Sequence, residues 1–279
     1  MVRAPAVSGR FYPAEPDALR RDVQALLNQA EHARAPADKR PAIAVIVPHA
    51  GYQYSGPTAA RVFTALALPR LIVILAPNHT GVCSARGGAS LWERGAFHTP
   101  LGDVTVAEGF ARGLLATEPL VGIDHDAHRA EHAVEVMLPF LQLLEPQAQI
   151  VPLVLAWDDW ESCRALGDSL ARLVQESGKA GEPVLLLASS DLNHYEPATT
   201  SEAKDRRALD AIVSLDGEDL LRRCKKERIS MCGRAPAATV LAAATTLGAE
   251  RAEVVDYRNS GWVSGDAQAV VGYGGVVIA

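Results

Sequence analysis

The chain has 279 residues, of which 48% are hydrophobic and 22% are charged, and these proportions exclude a disordered or fibrous protein. Its formal net charge of -6 at pH 7 argues against a nucleic-acid partner, because binding to a phosphate backbone depends on clustered lysines and arginines. An acidic globular protein is the class that these numbers favour.

The first thirteen residues, Met1 to Pro13, carry two arginines and two prolines but lack the apolar core of a signal peptide. Apolar runs elsewhere, such as Ala42 to Val47, are too short to cross a bilayer, so we expect no membrane segment. The four cysteines lie far apart and form neither a CxxC pair nor a disulfide framework. These features together predict a cytoplasmic protein.

Apolar β-branched runs alternate with amphipathic stretches along most of the chain, and this alternation is typical of an α/β fold. The predicted helices are Pro16 to Ala30, Pro57 to Leu66, Val106 to Ala116, Arg129 to Leu144, Trp160 to Glu176, Glu202 to Leu215, Gly217 to Lys225 and Pro236 to Leu247. The predicted strands are Ala42 to Val47, Leu71 to Ala76, Gln149 to Leu155, Pro183 to Ala188, Ala252 to Tyr257 and Ala269 to Ile278. Pro16, Pro57 and Pro236 fit the first turn of a helix, where a missing N–H is harmless.

The first, second and fourth predicted strands are continuous apolar runs, a pattern typical of strands that helices cover on both faces. We therefore expect these strands at the centre of a mostly parallel sheet. No linker is long enough to separate domains, and the segment Ala35 to Pro41 comes nearest, so the prediction is one domain over residues 1–279. Short runs around glycines between Gly81 and Val104 predict a hairpin beside the sheet.

A polar cluster containing a histidine follows each of these three central strands: His49, His79 and His194. The carboxyl ends of neighbouring parallel strands form one rim, and ligands of open α/β sheets bind outside that rim. We therefore expect the three histidines to converge. Because neutral imidazole is the commonest transition-metal ligand in proteins, this convergence predicts a metal site that uses two of them.

A third ligand is expected from Cys232, which lies directly before the helix predicted at Pro236. A helix N-terminus favours the thiolate, which is the form of cysteine that binds metal. The patterns around Cys163 and Cys224 indicate small buried side chains instead. Cys83 receives the same interpretation, although its position four residues after His79 leaves a role in the site open.

A second constellation competes with this one. His128, Glu131 and His132 match the H-x-x-E-H pattern of zinc metallopeptidases, in which the two histidines bind zinc and the glutamate is the general base. With Glu135 they would share one face of the predicted helix Arg129 to Leu144. The alternative is a polar helix face that lines a pocket or meets solvent. The peptidase hypothesis leaves the three strand-end histidines without a role.

Seven motifs together resemble the Memo family, a group similar in fold to the class III extradiol ring-cleaving dioxygenases. They are Arg3-Ala4-Pro5 with Ser8-Gly9-Arg10-Phe11-Tyr12-Pro13, PHAGYQYSG from Pro48, APNHTG from Ala76, HRAEHAVEVMLPFL from His128, SSDLNHY from Ser189, MCGRAP from Met231 and VGYGG from Val271. The resemblance covers nearly the whole chain. It implies a single α/β domain with a mostly parallel central sheet flanked by helices, and a dioxygenase-like site in its cleft.

The resemblance also implies roles for residues of that site. His49 and His79 match the two metal-ligand histidines of the family, and Cys232 matches the third position, where the ring-cleaving enzymes have a carboxylate. A soft thiolate favours copper or zinc relative to an oxygen donor and alters the redox behaviour of iron. The cofactor implied is therefore one transition metal ion, iron or copper, with zinc as the further possibility.

His194 resembles the acid–base histidine of the dioxygenases, and Asp191, three residues earlier, is expected to orient or tune it. His132 and Glu135 are expected to position ligands or to line the cleft, and Tyr52 and Tyr54 to form part of its wall. The implied function is redox or oxygen-dependent chemistry on a small substrate. A non-enzymatic module that binds a peptide or small ligand is the alternative, because a fold does not fix a function. Bacterial and archaeal members also imply a radical-type iron–sulfur enzyme as partner, in the AmmeMemoRadiSam system.

Overall fold

A mixed sheet lies at the centre of the computed structural model, which describes residues 1–32 and 39–279. Its strands are β1 (Val2–Arg3), β2 (Ala44–Val47), β3 (Leu71–Pro77), β4 (Ala89–Leu91), β5 (Ala96–Thr99), β6 (Gly102–Val106), β7 (Val121–Ile123), β8 (Gln149–Leu155), β9 (Val184–Ser189), β10 (His194–Glu196), β11 (Ala252–Asn259) and β12 (Val270–Ile278). The helices are α1 (Pro16–His32), α2 (Tyr52–Thr64), α3 (Glu108–Thr117), α4 (Asp126–Arg129), α5 (Leu138–Leu144), α6 (Trp160–Lys179), α7 (Ala198–Val213), α8 (Gly217–Lys226), α9 (Arg234–Thr246) and α10 (Gly261–Ser264).

The middle of the sheet is parallel. Its strands follow the order β1-β5-β6-β8-β3-β9-β2-β12-β10, with β11 paired to β12 and with β4 bridging β8 and β7. The four neighbours β8, β3, β9 and β2 run parallel to one another, whereas β12 runs antiparallel to β2. The carboxyl ends of β3, β9 and β2 therefore lie side by side, as the apolar runs of these strands predict.

Successive residues of the central strands contribute to two hydrophobic cores, one on each face of the sheet. In β3, Leu71, Val73 and Leu75 pack into the core covered by α3, α6, α7, α8 and α9. Ile72 and Ile74 point to the opposite core, which α1, α2 and α5 cover. Because both faces are buried, these strands are apolar at nearly every position, with polar residues only at their ends, Gln149 in β8 and Ser189 in β9. The α/β fold class is confirmed.

The predicted helix Arg129 to Leu144 is wrong as a continuous element. The chain forms α4, then an irregular segment, a short 3-10 turn over Glu135–Met137, and α5. The Glu131 carboxylate accepts the N–H groups of His132 and Ala133, at 2.8 and 2.9 Å, so these backbone donors are not used for helical hydrogen bonds. The shared helical face expected for His128, Glu131, His132 and Glu135 therefore does not form.

Other differences are smaller. Helix α2 begins at Tyr52, so Pro57 lies inside it rather than in its first turn. The hairpin predicted between Gly81 and Val104 is formed by β5 and β6, and because β6 pairs with β8 it belongs to the sheet itself, while β4 pairs with β7 and β8. Most of the segment Ala35 to Pro41 lies outside the described residues. In the described part of the chain, no helix combines the length and the hydropathy needed to cross a bilayer.

Candidate metal centre

Three potential metal ligands converge at the rim formed by the ends of β2, β3 and β9. His49 follows β2, His79 follows β3, and Cys232 lies in the loop before α9. One ligand atom from each residue lies within 4.8 Å of the other two. The parallel order of the strands brings the two histidines together, and α9, which packs against β9 and β3, brings the cysteine to the same place.

The orientation of the His49 ring is fixed by a chain of hydrogen bonds. Its Nδ1 lies 2.8 Å from the Ser189 hydroxyl oxygen, and that hydroxyl donates its own proton to the Ala133 carbonyl at 2.6 Å. The ring must therefore donate through Nδ1, which leaves the lone pair on Nε2, 3.3 Å from the Cys232 sulfur. Complete burial and the neighbouring histidines lower the pKa of His49 well below its usual value, so the ring is neutral.

His79 is held by Glu131 through both its backbone and its ring. One carboxylate oxygen accepts the His79 N–H at 2.7 Å, and the other lies 2.9 Å from Nδ1. Burial alone would lower the pKa of His79, but the hydrogen bond and the charge of Glu131 outweigh it and raise that pKa. Because Nδ1 donates to Glu131, Nε2 is the nitrogen available to a metal, an arrangement typical of metal-binding histidines.

Cys232 is positioned by a close approach between its loop and the end of β9. The N–H of Gly233 donates to the Ser190 hydroxyl at 2.9 Å, and a Cβ on Gly233 would lie 2.3 Å from the Ser189 carbonyl oxygen, so only glycine fits. The N–H of Asp191 donates to the Cys232 sulfur at 3.2 Å. Burial and the Asp191 carboxylate raise the pKa of the Cys232 thiol, and they outweigh the helix N-terminus that the sequence led us to expect would lower it.

These donors fit a transition metal ion. Two imidazole nitrogens with defined lone pairs and one sulfur suit iron, copper or zinc better than the hard cations calcium and magnesium, which prefer oxygen. A bound cation would also favour the thiolate of Cys232, because a coordinating thiol is deprotonated. The donor set limits the class of metal and does not select one member of it.

The three residues line an open cavity of about 820 Å³, which we call the cleft. Its wall also contains the predicted residues His194, Asp191, His132 and Tyr54. The remaining lining residues are Arg10, Phe11, Ala50, Gly51, Gln53, Tyr195, Ser230, Ser260, Ser264, Asp266, Ala269, Val271 and Tyr273. A cavity of this size accommodates a small organic molecule.

Two titratable groups of the cleft have properties suited to proton transfer. His194 Nδ1 lies 2.8 Å from the Ser230 carbonyl oxygen and donates to it, so Nε2 carries the lone pair. Burial lowers the pKa of His194. Asp191 accepts the His49 N–H at 2.8 Å, yet burial raises the pKa of its carboxyl to about 7.

Three further residues that were predicted to belong to the site lie in different parts of the structure. His132 lies in the cleft, where its ring stacks on His79 with centroids 4.6 Å apart. Tyr52 does not line the cleft: its hydroxyl donates to the Val136 carbonyl, and its ring packs in the core. Glu135 also lies outside the cleft wall, fully buried in an ion pair with Arg3. The placement of Tyr52 differs from the expectation that it forms part of the wall, and for Glu135 the expectation that it positions ligands stays a prediction.

The peptidase constellation is not assembled. His128 Nε2 lies 2.9 Å from the Ser90 carbonyl, and the ring packs edge-on against Trp92 and Phe97, away from the cleft. Within residues 1–32 and 39–279, no group of potential ligand atoms includes His128. Glu131 instead orients His79, so the zinc metallopeptidase hypothesis is wrong for this pair of histidines.

Sequence reasoning missed part of the site. The partners that orient the histidines were not predicted in that role: Ser189 orients His49, Glu131 orients His79, and Ser230 orients His194. Of these partners, only Ser189 had a signal in the sequence, which is its position at the end of a strand. Among the cysteines, Cys163 and Cys224 are buried as predicted, whereas Cys83 is exposed and belongs to no candidate ligand group in the described chain.

Comparison with known proteins assigns the chain to a family. A model described as Memo-like protein matches residues 3–277. MEMO1 family proteins of Methanopyrus kandleri (37% identical over 288 residues, 99% of each chain) and Methanosarcina barkeri (38% over 279 residues, 99% of this chain and 100% of the relative) are similar to it. So is one of Sulfolobus acidocaldarius, 39% identical over 284 residues and 98% of each chain. The class III extradiol dioxygenase-like fold expected from the motifs is consistent with this match, and the chain belongs to the Memo-like protein family.

Proposed function

We propose that the chain binds one transition metal ion, iron or copper, through His49, His79 and Cys232, and performs redox or oxygen-dependent chemistry on a small molecule in the cleft. One observation carries the proposal: the three ligand atoms lie within 4.8 Å of one another, and hydrogen bonds already direct the lone pair of each imidazole. Such partners of the second ring nitrogen are typical of metal-binding histidines. Zinc fits the same donors but supplies no redox chemistry.

The residues of the cleft divide the remaining tasks. His194 accepts a proton from a bound substrate at Nε2, because Nδ1 is engaged with Ser230 and the lowered pKa keeps the ring neutral. Asp191 holds or releases a proton near neutral pH, since its pKa is about 7. The metal supplies electron transfer and the activation of dioxygen when bound. The cysteine in the place of a carboxylate argues against ordinary ring cleavage.

The test is anaerobic elemental analysis after loading with Fe(II), Cu(I) or Zn(II). We expect about one equivalent of iron or copper in the wild type and its loss in His49→Ala and Cys232→Ser, because each variant removes one of three donors. His125→Ala and Cys224→Ser remove the same residue types outside the cleft and should bind like the wild type. Circular dichroism checks that every variant is folded. Metal content that survives both cleft substitutions would refute the proposal.

Absence of specific metal from the wild type would favour the alternative, a module that binds a peptide or small ligand in the same cleft. The family resemblance supports a further part of the proposal, a radical-type iron–sulfur enzyme as partner, and the separated cysteines, which form no disulfide framework, support a cytoplasmic location. Anaerobic copurification with a tagged chain tests the partner, with an iron–sulfur chromophore in the eluate as the expected result. Its absence from the eluate would contradict that part alone.

A further inference from the structure

Asn193 is a fully buried residue that directly precedes His194 and does not line the cleft. Its amide Nδ2 donates to the Glu196 carboxylate at 2.6 Å and to the Ser201 hydroxyl at 3.0 Å. Because an ionised carboxylate only accepts hydrogen bonds, the atom on this side of the amide must be the nitrogen. The amide oxygen Oδ1 therefore faces the other way, towards Ser230.

Ser230 connects that oxygen to His194. The N–H and the hydroxyl of Ser230 both donate to Asn193 Oδ1, at 3.0 and 3.1 Å. The same hydroxyl oxygen accepts the backbone N–H of His194 at 2.8 Å, and the Ser230 carbonyl accepts the ring Nδ1–H of His194 at 2.8 Å. Asn193 thus holds Ser230, and Ser230 holds both the backbone and the ring of His194.

Hydrophobic packing fixes where the segment around Ser230 lies, but it does not fix how the Ser230 peptide groups are turned. Ile229 and Met231, on either side of Ser230, are buried in the core on one face of the sheet. Apolar packing is non-directional, whereas a hydrogen bond requires an aligned donor and acceptor. The direction of the Ser230 carbonyl therefore depends on the two hydrogen bonds to Asn193.

The backbone at His194 is irregular and needs such fixed points. Strand β10 pairs with β12 through His194 and Glu196, and the register shifts between these two residues. Tyr195, which lies between them, has a φ of 59°, a left-handed conformation that is strained for a residue with a side chain. Strain of this kind persists only where the surrounding contacts maintain it. The hydrogen bonds to Ser230 are contacts that can do so.

We propose that Asn193 is a positioning residue for His194: by fixing Ser230, it keeps the ring proton of His194 on Nδ1 and leaves the lone pair on Nε2. This role rests on the proposed function, since His194 is the proton acceptor of that site. Asn193 acts only through Ser230, because its own side chain is buried away from the cleft wall.

The tautomer of His194 tests this role in metal-free protein. Nitrogen-15 NMR at a pH where the ring is neutral distinguishes a proton on Nδ1 from one on Nε2, and His194→Gln assigns the signal. Asn193→Ala removes the acceptor of Ser230. We expect the ratio of the Nδ1–H form to the Nε2–H form to fall by at least about threefold, the factor that corresponds to weakening of one neutral hydrogen bond. Asn193→Asp retains an oxygen that faces Ser230 and should keep the wild-type ratio.

Ser201→Ala is the matched control. It removes a buried hydrogen bond of the Asn193 amide nitrogen but leaves Oδ1 and Ser230 in place. Both Ser201→Ala and Asn193→Ala should unfold at lower urea concentration than the wild type, and only Asn193→Ala should change the tautomer of His194. A wild-type tautomer ratio in Asn193→Ala would overturn the role. An equal change of that ratio in Ser201→Ala or Asn193→Asp would overturn it as well.

A measurement on the wild type keeps the test independent of whether the variants fold. The N–H of Ser230 should exchange with deuterium at least about tenfold more slowly than the same amide in an unstructured chain, because its hydrogen bond to Asn193 must open first. Exchange at the unstructured rate would refute the role. Should the wild type bind no metal, the proposed function fails, and the tautomer of His194 still decides whether Asn193 positions the ring.

Discussion

Glu131 offers the sharpest test of how the centre is built. Its buried carboxylate accepts four N–H groups: the backbone and ring Nδ1 of His79, and the backbones of His132 and Ala133, at 2.7 to 2.9 Å. In Glu131→Gln the amide oxygen can take the place of Oε1, which accepts from the His79 ring and from the backbones of His132 and Ala133. The amide nitrogen then occupies the position of Oε2. There it faces the backbone N–H of His79 and cannot accept a hydrogen bond from it.

The expected magnitude follows from this geometry. The partly buried backbone N–H of His79 loses its acceptor, so we expect the free energy of unfolding to fall by about 1 kcal/mol, the lower end of the range for a buried donor. The His79 ring also loses the charged partner that orients it, and loss of such a partner lowers metal affinity by about 10- to 100-fold. Urea denaturation of the metal-free protein measures the first effect, and competitive titration with a chelator measures the second.

A matched control separates the two effects. Glu93 forms the same kind of pair with His125, at 2.6 Å and outside the cleft, so Glu93→Gln should leave metal affinity unchanged. Equal metal affinity in Glu131→Gln and the wild type would refute the view that the carboxylate positions His79 for a metal. A loss of metal affinity in Glu93→Gln as well would show that removing a negative charge anywhere in the protein weakens metal binding.

Two further predictions concern stability. Arg3→Met leaves the Glu135 carboxylate buried without its cation, so urea denaturation should show a loss of about 3–5 kcal/mol, and a loss below about 1 kcal/mol would contradict this role. Although burial opposes ionisation of Asp124, hydrogen bonds from Ser84 and Ser90 prevail and lower its pKa from 3.8 to about 2. Because folding favours the ionised form, about 2 kcal/mol of stability is present above pH 3.8 and is lost as the pH falls towards 2. Unfolding measured against pH should show this loss in the wild type and not in Asp124→Asn, and parallel curves would contradict it.

The convergence of His49 and His79 could be predicted because it depends on strand order alone, whereas His194 begins β10 and is placed by the pairing of β10 with β12. Apolar runs identify strands buried on both faces, and parallel neighbours end at one rim, so a residue just after each strand is placed without knowledge of any side-chain contact. The placement of Cys232 was less determined, since it depends on how α9 packs against β9 and β3. The position of Cys232 before a helix correctly predicted that it lies at the site. It wrongly predicted that the pKa of its thiol is lowered, whereas that pKa is raised.

The segment after His128 shows where periodicity fails. A 3.6-residue repeat assumes that every backbone N–H bonds within the helix, but the Glu131 side chain accepts those of His132 and Ala133 and interrupts it. Glu135 then turns to the N-terminal segment, where it accepts the N–H groups of Ala6 and Val7. Hydrogen bonds between a carboxylate and residues so far away in the chain leave no pattern in the local sequence. The predicted helix was therefore wrong, and so was the peptidase hypothesis that depended on it.

The same competition between local preference and burial determines the chemistry of the centre. A helix N-terminus stabilises an adjacent thiolate by about 1 kcal/mol at most sites, whereas removing a charge from water costs several times more. Cys232 therefore stays protonated beside the neutral His49, and Asp191 adds a carboxyl whose raised pKa also favours a proton. A cation among these groups reverses the preferences of Cys232 and Asp191, because it compensates the negative charge that burial disfavours, and it keeps His49 neutral. Burial raises the pKa of Cys163 and Cys224 as well, so what distinguishes Cys232 as a metal ligand is its position within 4.8 Å of two imidazole nitrogens and not its protonation.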